Sequence, residues 1–367
     1  MINTSSVTPP RPALSSRMLL GAAAGAFLLL AGVARPAAAA EAMLFTWENL
    51  AEPVFFEEYK KKYKATPESA LFADEDEAFA KMMGGFKPDV MAPCTYEVPR
   101  WRDAGLLQPV DPSKISHWKD LPDSLRSLKG MAAEGGKVWF VPQYWGNTSV
   151  TIRTDLAPEY AEKNSWDILW DPKYKGRIAA LEGVDDTFAI TALHLGIDPY
   201  EPLSAENEKK VRAHMTELAQ NLRLVTSDST TLVQAVASGE VVAAITWNDH
   251  YTEMKAESLP VKFMRPKGII TFVCGFVMHK ETKSVEKAQA LIDSNISEAS
   301  SHFLVSEMGY GPSNTKSLKT IDAAVLEKAE LPADVDAFLA SGTFQRTLPN
   351  KDMLVQMWQE IRAMSGR

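Results

Sequence analysis

The chain is poor in cysteine, with only Cys94 and Cys274 in 367 residues. No C-x-x-C pair occurs. None of the six histidines (His117, His194, His214, His250, His279 and His302) has a metal-ligand spacing such as H-E-x-x-H. A phosphate-cradling P-loop, a dinucleotide glycine fingerprint and a G-x-S-x-G elbow are all missing. These absences remove the enzyme designs most visible in a sequence and leave no nucleophile–base pair to nominate. A secreted enzyme would have to build its site without them. Positive charge is also short: the formal net charge is −8, which makes a poor nucleic-acid binder.

Long apolar runs are equally scarce, and the one present lies at residues 18–33. A polar stretch with Arg11 and Arg17 precedes it, and four alanines at 37–40 follow. That layout predicts a secretory signal peptide over residues 1–40, with Glu41 as the first mature residue and the periplasm as destination. The alternative, an uncleaved anchor, is disfavoured by the shortness of the run and the alanine-rich end. No twin-arginine pair precedes the run, which points to the general secretory route, and no cysteine at the cleavage site offers a lipid anchor. Losing Arg11, Arg17 and Arg35 takes the net charge from −8 to −11. The remaining ~330 residues exceed one ordinary core and predict two lobes. In an oxidising compartment the two cysteines can pair or stay as buried thiols, and the sequence leaves both open.

Strand and helix patterns alternate along the mature chain. Met43-Leu44-Phe45-Thr46-Trp47 reads as a buried strand and residues 74–83 as a helix capped by Asp74 or Asp76. Residues 89–93 read as the next strand. A second alternating unit begins near Tyr144, with strands at 177–181, 222–226, 241–247 and 268–278 and helices at 186–195, 205–221 and 231–237. Further helices are expected at 284–294 and 298–308, and a last one carries Met353, Leu354, Met357, Trp358 and Ile361 on one stripe. This is the order of an open, mainly parallel α/β sheet, in which ligands bind beyond the strand ends. Trp47, Tyr96, Trp145, Trp247, Phe272 and Tyr310 fall at or near such ends. Singly each ring is ordinary core, but together they suit an organic cation, whose charge is drawn to ring faces.

Residues 165–177, Ser-Trp-Asp-Ile-Leu-Trp-Asp-Pro-Lys-Tyr-Lys-Gly-Arg, are the most informative stretch. Locally they predict a short helix with Trp166 and Trp170 on one face, both packed in the core, stopped by Asp171-Pro172. They also resemble the "SW-x-x-LW-x-P-x-YKG" signature of bacterial ABC-importer solute-binding proteins of the spermidine/putrescine group. Four ordered segments extend the resemblance: 45–49 to "Y-N-W-T-E", 88–96 to "Y-D-L-V-x-P-S-T-Y", 141–146 to "I-P-Y-x-W-G" and 238–248 to "x-G-E-V…I-W-N-G". A fifth, 308–314, resembles "I-G-Y-P-T-P-N".

The resemblance implies a type II periplasmic binding protein fold, a two-lobed α/β Venus flytrap with two crossover strands. Lobe one would span 41–141 plus 275–308, and lobe two 142–274 plus 309–367. It implies no catalysis, cofactor or metal, and a monomer that delivers a small organic cation to a transmembrane permease. Trp47, Tyr96, Trp247, Phe272 and Tyr310 match the family's aromatic pocket positions, with Phe272 replacing a tryptophan. The acids match less well. Asn49, beside Glu48, stands where the family has an acid, Gly183 where it has another, and Asp186 keeps the third. Cys274 stands at the aspartate that grips an amine, and Cys94 at a serine. Rings kept without acids suit a quaternary ammonium or sulfonium compound, whereas Asp185, Asp186, Glu182, Glu48 and Asp249 are left to supply a rearranged anionic side, so the expected cargo is polyamine-like with that class as alternative. The expected ligand-contacting set is Trp47, Glu48, Asn49, Cys94, Tyr96, Trp145, Asp186, Trp247, Phe272, Cys274 and Tyr310.

Overall fold

Strand β1 (Met43–Trp47) pairs in parallel with β2 (Glu68–Phe72) and with β3 (Val90–Met91). Between them runs helix α1 (Glu75–Met83), whose N-cap Asp74 accepts the Glu77 N–H at 2.8 Å. The computed structural model describes residues 41–128, 132–331 and 334–366. The expected signal peptide lies outside the described residues. No helix among the described residues is long and apolar enough to cross a membrane.

Two long strands occupy the centre, β4 (Val141–Arg153) and β8 (Ile270–His279), paired antiparallel. Both are buried almost throughout, so neither shows the in–out alternation that marks a half-exposed strand. Their ends serve different halves of the sheet. Val277 and Met278 of β8 pair with β3, whereas residues 149–152 of β4 pair with β7 (Ala243–Thr246). Strand β7 runs parallel to β5 (Ile178–Ala180), and β5 to β6 (Leu222–Val225). The order across the molecule is β2-β1-β3-β8-β4-β7-β5-β6.

Helices α2 (Val184–His194) and α3 (Ala205–Asn221) cover the β5–β6 side. With them packs α5 (Lys351–Ser365), whose Leu354, Met357, Trp358 and Ile361 are buried as the stripe requires, while Met353 is half-buried at its edge. Helix α4 (Asn248–Ala256) follows β7 directly. The segment after residue 309 packs both ways. Val335 and Phe338 join the cluster holding Phe45, Trp101 and Trp145, while Trp358 joins the one holding Ile190 and Leu218.

The Trp166–Trp170 expectation holds in part, since Trp170 packs against the core cluster that contains Trp166, but the shared helical face needs correction. Residues Trp166–Leu169 form a 3-10 helix with three residues per turn, so side chains four apart point about 120° away from each other. Trp166 is buried, whereas Trp170 is half-exposed, with the His194 and His214 rings stacked on it at 4.3 Å. His194 Nδ1 and His214 Nε2 lie 2.8 Å apart, and Asp167 and Glu217 hold the outer ring nitrogens.

Candidate functional site

A narrow cavity opens where β1, β4, β8 and the start of α4 converge. Six rings wall it: Trp47, Tyr96, Tyr144, Trp247, Phe272 and Tyr310. Trp47, the last residue of β1, is fixed by its indole N–H donating to the Ala92 carbonyl at 2.9 Å. Its ring meets Trp247 edge to face, with centroids 5.8 Å apart. Tyr310 lies against Tyr144 at 4.7 Å and Phe272 at 6.1 Å. This close set needs Gly146 beneath it, because a Cβ there would come within 2.9 Å of both Tyr310 and Phe272.

Polar groups enter from separate elements. Asp186, in the first turn of α2, accepts the Trp247 indole N–H at 2.9 Å, the Thr148 hydroxyl at 2.9 Å and the Gln345 amide at 3.3 Å. Burial pushes its carboxyl above the ordinary range, and these donors pull it back towards the ionised form. Asp249, in the first turn of α4, accepts the Asn49 amide at 2.6 Å and the His250 backbone N–H at 2.9 Å. Burial raises the Tyr310, Tyr144 and Tyr96 phenols well above their usual value, so all three stay neutral. No lysine or arginine is among the described residues that line the cavity.

Cys94 and Cys274 form part of the lining as a disulfide, which settles the alternative the sequence leaves open. They also form an isolated antiparallel bridge next to β8. Behind Tyr96 sits Glu75, fully buried, accepting the Cys94 backbone N–H at 2.5 Å. Burial, with Glu97 nearby, holds its carboxyl well above the ordinary range.

One ionic cluster lies beside the cavity. Lys351, the first residue of α5, places Nζ 2.6 Å from Glu97 and 2.8 Å from Asp185, with Asp76 at 3.6 Å. Burial pushes Asp185 up to about 6, and Lys351 opposes that shift. The Thr347 hydroxyl donates to the Tyr96 carbonyl at 2.5 Å, tying the same segment to the cavity wall.

Of the expected residues, Trp47, Asn49, Cys94, Tyr96, Asp186, Trp247, Phe272, Cys274 and Tyr310 meet at the cavity. Trp145 does not. It is fully buried on the opposite face of β4, 4.3 Å from Phe338, with its indole N–H donating to Pro312. Adjacent strand residues point to opposite faces, and Tyr144 takes the cavity side. Glu48 is exposed and borders an adjoining outer groove instead. Asp249, expected only as part of a rearranged anionic side, completes the lining with Tyr144 and Gln345, which were not expected there. Neither Tyr144, on a strand whose burial erases alternation, nor Gln345 carries a local signal. Away from the cavity, Glu58, His117 and Asp293 converge at the surface, and the Glu58 carboxylate, 3.1 Å away, raises the His117 imidazole.

A family model described as bacterial extracellular solute-binding protein matches residues 55–347. The spermidine/putrescine-binding periplasmic protein 1 of Haemophilus influenzae is 25% identical over 328 residues, 87% of this chain and 88% of that protein. The spermidine/putrescine-binding periplasmic protein of Escherichia coli (strain K12) is 25% identical over 331 residues, 87% and 90% of the two chains. A solved spermidine/putrescine ABC transporter substrate-binding protein from Streptococcus pneumoniae has a TM-score of 0.70 at 16% identity, covering 89% and 98%. That likeness is one of fold, the two-lobed α/β arrangement of type II periplasmic binding proteins with β4 and β8 as the crossing strands.

Proposed function

The chain belongs to the family of bacterial extracellular solute-binding proteins, and from that premise we propose that it is the periplasmic receptor of an ABC importer. Its cargo is a small organic cation, polyamine-like in chemistry, held in the aromatic cavity and passed to a transmembrane permease. The observation that carries this reading is the pairing of six rings with two buried carboxylates, with no lysine or arginine among the described lining residues. Ring faces attract positive charge, and carboxylates removed from water need a countercharge. A desolvated cation satisfies both demands at once. An anion or a neutral sugar satisfies neither.

The relatives named for spermidine and putrescine support the polyamine-like reading. The aromatic wall supports a second reading, a quaternary-ammonium or sulfonium compound, which needs ring faces and no hydrogen-bond acceptor. Trp47, Asn49, Tyr96, Tyr144, Asp186, Trp247, Asp249, Phe272, Tyr310 and Gln345 are the proposed contact residues, with the disulfide as apolar floor. The protein acts as a binding component rather than as an enzyme.

We take 41–141 with 275–308 as one lobe and 142–274 with 309–367 as the other. A ligand favours closure only by binding the closed arrangement better. The Asn49–Asp249 hydrogen bond and the Lys351 cluster are the contacts expected to form on closing.

A thermal-shift panel tests the reading. Putrescine, spermidine, choline and glycine betaine are set against a neutral sugar and an oxyanion. A ligand at 100 times its Kd adds about 2.7 kcal/mol and raises the midpoint visibly. A shift with the sugar or the oxyanion and with none of the cations contradicts it.

A further inference from the structure

We propose that Asp249 is the carboxylate that receives the ligand's cationic end beside Asn49, and that it makes the site prefer ammonium groups bearing N–H over fully methylated ones. This rests on the organic-cation reading above.

The first ground is an unmatched charge. Asp249 is buried, 8% exposed, at the start of α4. Its neighbours are neutral donors: the Asn49 amide, the His250 backbone N–H and the Tyr310 hydroxyl. His250 Nδ1 lies 3.6 Å away, beyond hydrogen-bond reach, and is engaged by the Trp247 backbone N–H instead. Asp185 makes the contrast, since Lys351 meets it at 2.8 Å. A buried carboxylate met by neutral donors alone has hydrogen-bond partners but no cation. The helix N-terminus offsets part of that deficit.

The second ground is direction. Asp249 lines the aromatic cavity and also borders the outer groove, as Trp47, Asn49 and Trp247 do. Asn49 holds one oxygen from across the cavity at 2.6 Å. A carboxylate has about four acceptor positions. A primary or secondary ammonium arriving at Asp249 can donate to a remaining one, and a charge-assisted hydrogen bond is about twice as strong as a neutral one. A trimethylated nitrogen has nothing to donate and gains only the longer-range attraction.

The third ground is the cost to the empty protein. A charge kept without a partner lowers stability until the ligand arrives. A residue present only to hold the fold behaves oppositely, because removing it lowers the melting temperature.

The test is Asp249→Asn, which keeps the shape and can still bond to Asn49. Calorimetric titration at pH 7.5 with putrescine and with choline, plus melting of the ligand-free protein, gives three readouts. Putrescine affinity is expected to fall about 10- to 100-fold, choline affinity to change less than about threefold, and the ligand-free melting temperature to hold or rise. Putrescine affinity unchanged within about twofold overturns the proposal, as does an equal loss for both cations. A ligand-free melting temperature lowered by about 5 °C or more assigns Asp249 to the fold and overturns it too. If the wild type binds neither cation nor any other amine, the organic-cation reading itself has failed, and this proposal falls with it. Cations that bind wild type and variant alike leave that reading standing and remove only Asp249.

Discussion

The indole N–H of Trp247 donates to Asp186 at 2.9 Å, so a ring and a carboxylate from separate elements form one rigid unit at the cavity. The bond orients the ring for a cation and keeps a buried acid ionised. Trp247→Phe retains a ring and removes the donor. Affinity for an organic cation is expected to drop about tenfold, the worth of one hydrogen bond to a charged group.

The same pair sets a pH dependence. Burial raises the Asp186 carboxyl, and a bound cation favours its ionised form. Affinity is therefore expected to rise with pH through the Asp186 titration and to level off above it. In Trp247→Phe, with one lowering donor gone, the rise should move to higher pH. Titrations between about pH 4.5 and 8 check this. An affinity that falls with rising pH contradicts it.

Lys351 is expected to be the most stability-critical charged residue beside the cavity. Lys351→Met leaves buried Asp185 without its cation, while Arg100 still meets Asp76 at 2.6 Å and Glu97 at 3.3 Å, and the expected cost is about 3–5 kcal/mol in urea unfolding. The sign with pH follows from Asp185, already pushed up to about 6 and higher without the lysine. A carboxyl whose folded pKa exceeds its unfolded one binds more protons when folded, so the variant's deficit grows as pH rises and shrinks near pH 5. Equal deficits at about pH 5 and 8 would falsify the assignment.

Cys94 and Cys274 close a loop across 180 positions. The mature protein, denatured without reductant, is expected to show no reactive thiol. The double Cys→Ser variant should lose about 2–5 kcal/mol. Two thiols in the unreduced protein contradict the disulfide.

The two tryptophans of the 3-10 segment should separate in a melt. Trp166→Ala empties a buried position and is expected to cost about 3–5 kcal/mol. Trp170→Ala removes surface stacking with His194 and His214 and should cost about 1 kcal/mol. Similar losses would restore a shared buried face.

Much of the scaffold was legible because local rules and tertiary packing agree. Helix α3 begins and ends where its pattern does, and the α5 stripe is buried as read. The central strand β4 was not legible as a 13-residue strand, since burial on both faces erases alternation. That also explains the exchange of Trp145 for Tyr144. Neighbouring rings on a strand face opposite ways, and nothing local says which face meets the cavity. Gln345 arrives because its backbone N–H pairs with the Thr271 carbonyl at 2.8 Å, a contact 74 positions away in sequence. The acids looked depleted because Asn49 and Cys274 stand at acidic positions of the resembled pattern. Asp249 follows Trp247-Asn248, where that pattern has glycine, and it returns a carboxylate from the other side of the cavity to the Asn49 amide.

The most direct test of the central claim is calorimetric titration of ligand-stripped protein with putrescine and spermidine at low and moderate salt. The expected result is one-to-one binding of at least one of them, weakened by salt and by Asp186→Asn. No heat with either, nor with choline or glycine betaine, alongside clear binding of an anion or a neutral sugar, would contradict the account.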